Sequence, residues 1–272
     1  MEETKEEFKK MGLGICAVSY DSREVLADFA RRKKISYPLL SDPDSTIIRA
    51  FGILNTSIPE GDSGYGIPHP GVYRVEEKGL VQAKFFEEAY NNRYALGTVF
   101  TRLFGSPLRT HETVVENDHL LLKSFSTADS ASIGNRLSLI LDISLKDKMH
   151  VYAPGAQGYR PIELKITGSP AFTLVPAEYP RAQTLYLRAI QESAPVFQGQ
   201  FRLSQDIVLI PNTKNLEESV NTANELLVEG SLSYQACDDK ICYLPKAIPL
   251  KWAIKIVSPD RERVPEGLRR KK

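Results

Sequence analysis

The sequence predicts an α/β layered domain followed by an all-β sandwich. Strand and helix signals alternate over the first hundred residues, and a polar stretch fills 106–131. Beyond it, apolar and polar residues alternate with period two in short runs between turns. A chain of 272 residues can bury two cores. Its 35 Lys and Arg against 34 Asp and Glu leave no overall field to attract nucleic acid or anionic lipid, so partners must be recognised locally. Apolar runs stay short of the length that spans a membrane, and the opening MEETKEEFKK is too charged for the core of a signal peptide.

In chain order, 14–19 is an apolar run with strand character. Asp21 and Glu24 have capping-box spacing ahead of a helix whose inner face would carry Val25, Leu26, Phe29 and Ala30. A second strand is expected at 37–41, then a short helix capped by Asp42, opened by Pro43 and closed at Gly52. Strands at 72–75 and 80–86 flank a turn at Lys78 and Gly79, and a helix over 91–104, with Leu96, Val99, Phe100 and Leu103 inward, closes the first domain. The expected organisation is a domain over 1–105, a linker over 106–131 carrying at most one leading strand, a sandwich over 132–258 and a basic tail over 259–272. Sandwich strands are expected at 137–145, 162–166, 201–209, 226–234 and 248–256, with a helical stretch at 217–226.

Three cysteines are too few for a disulfide framework, and they are unevenly placed. Cys16 sits in the apolar run GICAVS, where a thiol is expected to be buried and inert. Cys237 and Cys242 enclose Asp238, Asp239, Lys240 and Ile241. In extended chain their Cα atoms would lie roughly 16 Å apart, far beyond the limit of about 7 Å for a disulfide, so the chain must fold back to join them. A four-residue loop, for which Asp is suited at the start, would set the two cysteines opposite each other on paired strands. The spacing then permits a redox-active pair, a structural bridge, or two thiols that are free or form half of a zinc site. A loop this short removes little chain entropy, which weakens the case for a staple. Zinc lacks further ligands nearby in sequence. An accessible hairpin end favours exchange with a partner's thiolate.

The stretch YQACDDKICYLP, with KDKMHVYAP at 146–154 and PVFQGQFRL at 195–203, resembles the N-terminal periplasmic domain of thiol:disulfide interchange proteins of the DsbD family over about 136–256. The resemblance implies an immunoglobulin-like sandwich. It also implies that Cys237 and Cys242 exchange electrons with thioredoxin-like proteins outside the cytoplasm, without a cofactor or a metal. Aromatic residues cap the sulfurs in that family. Tyr152, Tyr186, Phe197, Tyr234 and Tyr243 are the candidates here, with Tyr152 and Tyr234 preferred. Glu192, Asp238 and Asp239 would raise a nearby thiol pKa by like charge, and Lys240 would oppose them.

GLGICAVSYDS and FARRKKISYPLLSDPDSTIIRAFGILN resemble peroxiredoxins of the AhpC/TSA group, and GIPHPGVYRVEEKGLV resembles the proline-to-strand segment of a thioredoxin fold, over about 2–105. That likeness makes Pro70 a candidate cis proline. The family's reactive cysteine lies on a helix N-terminus ahead of the first strand seen here. The expectation is therefore an N-terminally truncated thioredoxin-like domain with an uncovered sheet edge, whose cysteine or selenocysteine turn would precede Met1. The leading functional reading is a thiol-disulfide oxidoreductase relaying electrons through Cys237 and Cys242. The alternatives are peroxiredoxin-type antioxidant activity in a longer protein, and a non-catalytic sandwich clamped by its disulfide.

Overall fold

The computed structural model describes residues 2–62, 64–87, 91–108, 111–187, 191–210, 213–258, 262 and 264–268. The chain forms two compact units: Ala95–Ser258, and Met1–Tyr94 together with the tail. No helix among the described residues is long and apolar enough to cross a membrane.

In the first unit, Ala17–Ser19 and Leu39–Ser41 pair in parallel, with Val18 opposite Leu40. Between them runs the Arg23–Lys33 helix, whose N-cap is Ser22. Its hydroxyl accepts the Val25 amide, a role expected of Asp21 one residue earlier. Val25 and Leu26 turn inward as expected, but Phe29 is exposed and Asp28 is buried instead, held by Arg31 at 2.6 Å and Arg32 at 2.7 Å. The next helix, Thr46–Ala50, opens three residues after Pro43 with Ser45 as its N-cap, while the Asp42 carboxylate accepts the amides of Ile47 and Ile48 in its first turn. The hairpin Gly71–Val75 with Val81–Phe86 is where the turn residues put it.

Three expectations in this unit are corrected. Pro70 is trans, since no cis bond occurs among the described residues. The approach to the hairpin is extended, His69 donating its amide to Ile53, and leads directly into Gly71. Cys16 is exposed, because the strand begins only at Ala17 and spans three residues, too little sheet to cover its neighbour. The tail is not simply solvated: Glu262 pairs with Arg32 at 2.9 Å and Lys33 at 2.8 Å. Residues 259–261, 263 and 269–272 of the tail lie outside the described residues.

The second unit packs two sheets on one core. One runs in the order Phe172–Leu174, Gln200–Leu209, Asn135–Leu145, Leu120–Ser126, Thr113–Glu116, every neighbour antiparallel. The other runs Glu163–Ile166, Glu225–Tyr234, Lys246–Ile256, with Ser130–Ala131 added in parallel. Along Lys246–Ile256 burial alternates strictly, and Ile248, Leu250, Trp252 and Ile254 meet Leu139, Leu141, Ile143 and Leu203 of the facing sheet in one cluster. The helix expected over 217–226 is instead Thr213–Ser219, and Glu225 already begins a strand.

The expected boundaries shift. Strand pairing begins at Thr113, inside the stretch read as linker. Leu120, Leu122 and Phe125 are fully buried there, on both faces of their strand, amid a polar composition that conceals them. The helix Leu96–Phe104, expected to close the front domain, belongs to the sandwich. Thr98 shares a 2.7 Å hydroxyl contact with Thr127, and Arg102, Arg136 and Ser138 converge on the buried Asp206 carboxylate at 2.9, 2.6 and 2.5 Å. Small residues permit that seat: a Cβ on Gly97 would lie 1.7 Å from the Thr127 carbonyl oxygen. Gly97→Ala must therefore push the helix off its sheet. The expected cost is about 1–3 kcal/mol, read as a lower urea midpoint of the fluorescence of Trp252, the single tryptophan.

Candidate functional site

The second unit carries a third sheet, in the order Gln183–Leu187, Glu192–Gln198, His150–Tyr152, Ala236–Cys237. The three-residue strand His150–Tyr152 joins its halves: His150 lies opposite Gln198 on one side and opposite Cys237 on the other. Tyr152, Ala194, Val196 and Cys237 form an apolar cluster distinct from the main core, with Tyr159, Leu185 and Leu187 packed against it.

Cys237 and Cys242 form a disulfide, with S–S 2.02 Å and Cα atoms 4.0 Å apart, and they face each other as an antiparallel bridge pair. The fold-back between them is built by Asp238. Its Oδ1 accepts the amides of Lys240 at 2.7 Å and Ile241 at 2.8 Å, its own amide donates to the Ile241 carbonyl, and its Oδ2 accepts the Tyr243 hydroxyl at 2.9 Å. Below the loop, the Tyr243 amide donates to the Ala236 carbonyl and the Gln235 side chain donates to the Tyr243 carbonyl. The backbone donors on Asp238 hold its carboxyl below the usual carboxylate range, and the same contact with Asp238 raises the Tyr243 hydroxyl.

The two sulfurs are not equivalent. Cys237 is 1% exposed, whereas Cys242 is exposed. They open into a cleft of about 790 Å³, walled by Leu185, Tyr186 and Leu187 opposite the cysteine loop, with His150 and Tyr152 between. The Tyr152 hydroxyl lies 3.8 Å from Cys242 Sγ, and its ring stacks on Tyr159 at 4.1 Å. Tyr159 donates to Glu192 at 2.9 Å. Burial raises Tyr152, and burial with the Glu192 contact raises Tyr159, so both are neutral hydroxyls near pH 7. Burial lowers His150, against the opposing pull of Asp239 and Asp238. Its Nε2 is buried without a hydrogen-bond partner.

Of the residues singled out in sequence, Cys237, Cys242, Tyr152, Tyr186, Asp238, Asp239 and Lys240 line the cleft. Tyr234 does not: it packs in the main core and bonds Asn117 at 3.1 Å, because the inward alternation of its strand carries it to the sandwich interior. Phe197 also joins the main core. Tyr243 braces the loop from the side of His119, 4.7 Å between rings, and does not cover the sulfurs. Glu192 is engaged by Tyr159. Sequence reasoning missed His150 and Tyr159. The first was accessible, since residues two apart on a strand share a face and Tyr152 was already singled out. Tyr159 reaches the cleft through the 153–162 loop, for which spacing gives no signal.

Comparison with known proteins agrees with this division. Residues 1–84 match the AhpC/TSA family, and residues 120–249 match the N-terminal domain of thiol:disulfide interchange protein DsbD. The front part is similar to peroxiredoxin bcp of Haemophilus influenzae, 29% identical over 85 residues, which are 31% of this chain and 54% of that protein. It is also similar to peroxiredoxin Bcp of Escherichia coli, 26% identical over 94 residues, 35% of this chain and 60% of that protein. The chain thus spans little more than half the length of these relatives. Among solved structures, the N-terminal periplasmic domain of ScsB from Proteus mirabilis aligns at 13% identity and a TM-score of 0.39, covering 53% of this chain and 51% of that one. The chain joins a thioredoxin-like AhpC/TSA domain to a β-rich domain of the DsbD N-terminal type.

Proposed function

We propose that the protein is a thiol-disulfide oxidoreductase in which the Cys237–Cys242 disulfide relays electrons to or from a thioredoxin-like protein or domain. The observation that carries this reading is the asymmetry of the pair. One cysteine is exposed and the other buried, and both line one cleft of about 790 Å³. Both matched families are thiol-redox families, which supports the same chemistry. In the front unit the free thiol, Cys16, precedes a strand and does not open a helix, the setting that activates reactive cysteines. That contrast supports assigning the exchange to the pair in the second unit.

The exchange runs in two balanced steps. A partner thiolate attacks Cys242 Sγ, forming a mixed disulfide as the S–S bond breaks and Cys237 leaves as a thiolate that takes up a proton. The partner's second thiolate then attacks its own mixed-disulfide sulfur and releases Cys242, which is protonated in turn. The partner dithiol has lost two electrons and the pair has gained them. The reverse sequence reduces the partner. The Tyr152 hydroxyl, 3.8 Å from Cys242 Sγ and held by the stacking of its ring on Tyr159, sits beside the sulfur that the partner attacks.

Variants of the full chain that carry Cys16→Ser, and so keep a single thiol once one member of the pair is replaced, test the asymmetry. With Cys237→Ser, the remaining Cys242 should form a mixed disulfide with a thioredoxin activated at its attacking cysteine. With Cys242→Ser, the buried Cys237 should do so on the order of tenfold more slowly or worse. Equal trapping, or none by either variant, overturns the relay.

The loop brace makes a second expectation. Asp238→Ala leaves the Lys240 and Ile241 amides without their acceptor and loosens the approach of the two thiols. The equilibrium with glutathione should shift several-fold toward the dithiol at pH 7, as quantified by alkylation and mass spectrometry. Because the folded carboxyl lies below its ordinary value, the brace is complete above about pH 4 and is lost as pH falls through that lowered value. The wild-type equilibrium should therefore drift toward that of the variant only in acid.

A further inference from the structure

Among the described residues that line the cleft, one polar side-chain atom is buried with nothing to bond, His150 Nε2. Unpaired buried polar groups are uncommon in folded proteins and call for an explanation. Three of the polar groups beside it in the cleft are committed. The Asp238 carboxylate is taken by two backbone amides and Tyr243, the Tyr159 hydroxyl is given to Glu192, and the Tyr152 hydroxyl reaches toward Cys242. Asp239 and Lys240 are exposed at the rim. Tyr152 meets the His150 ring only edge-on, at 5.6 Å.

Opposite His150 in the sheet lie Gln198 on one side and Cys237 on the other, and of the two Cys237 lines the cleft. Residues directly paired across an antiparallel ladder send their side chains to the same face with Cβ atoms about 4.5–5.5 Å apart, within reach of an imidazole and a sulfur. In the oxidised protein the Cys237 sulfur is held by Cys242 and offers neither a proton nor a charge. Opening the disulfide creates both. We propose that His150 is the proton partner of Cys237, hydrogen-bonding the sulfur that leaves Cys242 and exchanging a proton with it. This rests on the relay reading.

When a partner attacks Cys242, the Cys237 sulfur departs with the bonding electron pair at a buried position on the cleft wall. As that charge develops, the imidazole takes a proton from solvent and hands it through Nε2 to the thiolate, returning to its neutral form. In the reverse direction the Cys237 thiol must lose its proton before its sulfur attacks Cys242 in the mixed disulfide. The imidazole in the tautomer with a free Nε2 lone pair accepts it and later passes it to solvent. Burial keeps His150 below its ordinary value and so neutral at pH 7, able to take either part, while Asp239 and Asp238 oppose that burial and steady the transient imidazolium.

The test uses the full chain with Cys16→Ser and Cys242→Ser, so that Cys237 is the single thiol, titrated by thiolate absorbance with and without His150→Phe. Loss of the imidazole should lower the thiolate fraction near neutral pH by roughly tenfold, one unit in the Cys237 titration. His150→Gln, which keeps a side-chain donor, should recover part of it. In the disulfide-forming chain, His150→Phe should slow reduction by dithiothreitol and alter its pH profile. A Cys237 titration and a reduction profile unmoved by His150→Phe overturn the proposal. Should that variant fail to fold, the 15N resonance of His150 Nε2 in the wild-type chain decides: it should shift on reduction, and an unmoved resonance overturns the proposal. None of these measurements uses a protein partner. A wild-type pair that ignores thioredoxin while His150 still governs Cys237 would sink the relay alone.

Discussion

The cleft depends on a short stretch of backbone pairing, between His150–Tyr152 and Ala236–Cys237. That ladder makes Cys237 a strand residue, and a strand residue packed on Val196 and Ala194 is buried. Five residues on, Cys242 returns opposite it as a single bridge residue, outside any strand, and is exposed. The difference in accessibility between two bonded sulfurs is thus a consequence of where the strand ends. The same ladder delivers His150 and Tyr152 to the sulfurs and ties them, through Glu192–Gln198, to the opposite wall of the cleft.

The site sheet is small, and the rigidity beneath it comes from the sandwich. Glu225–Tyr234 runs antiparallel to Lys246–Ile256 over ten consecutive residue pairs, and Tyr234 at its end is anchored in the main core and to Asn117. Ala236–Cys237 follows after a single residue. The position of the disulfide is therefore set by a long, strictly alternating ladder. Gly230 keeps that ladder close to its neighbour, since a Cβ there would lie 2.6 Å from the Lys165 carbonyl oxygen.

Much of this was legible in the sequence. The cysteine spacing with Asp at its head implied a fold-back that faces the two thiols, because an Asp carboxylate can satisfy the amides of its own turn. Period-two alternation located the long sandwich strands, since it reports burial of one face. The signal weakened where burial did not follow period. Asn135–Leu145 is buried on both faces because the helix Leu96–Phe104 covers the outer one, and that helix owes its seat to small residues at Gly97 and Thr98 that carry no apolar mark. Tyr234 misled because aromatic identity says nothing of direction; its place in the alternation pointed it inward. Cys16 misled because an apolar run implies burial only where sheet surrounds it, and the strand after it is three residues long.

The hydrogen bonds that shape the 237–242 loop do not pass through its sulfurs. Asp238 with its three donors, the Tyr243 amide on Ala236 and the Gln235 amide on Tyr243 all close the loop by themselves. None of them requires the covalent link, so opening it does not in itself remove a hydrogen bond of the loop. In the relay proposed above, a loop held in this way would offer a visitor little change of shape between its two redox forms, and the direction of electron flow would fall to the relative potentials of the two couples.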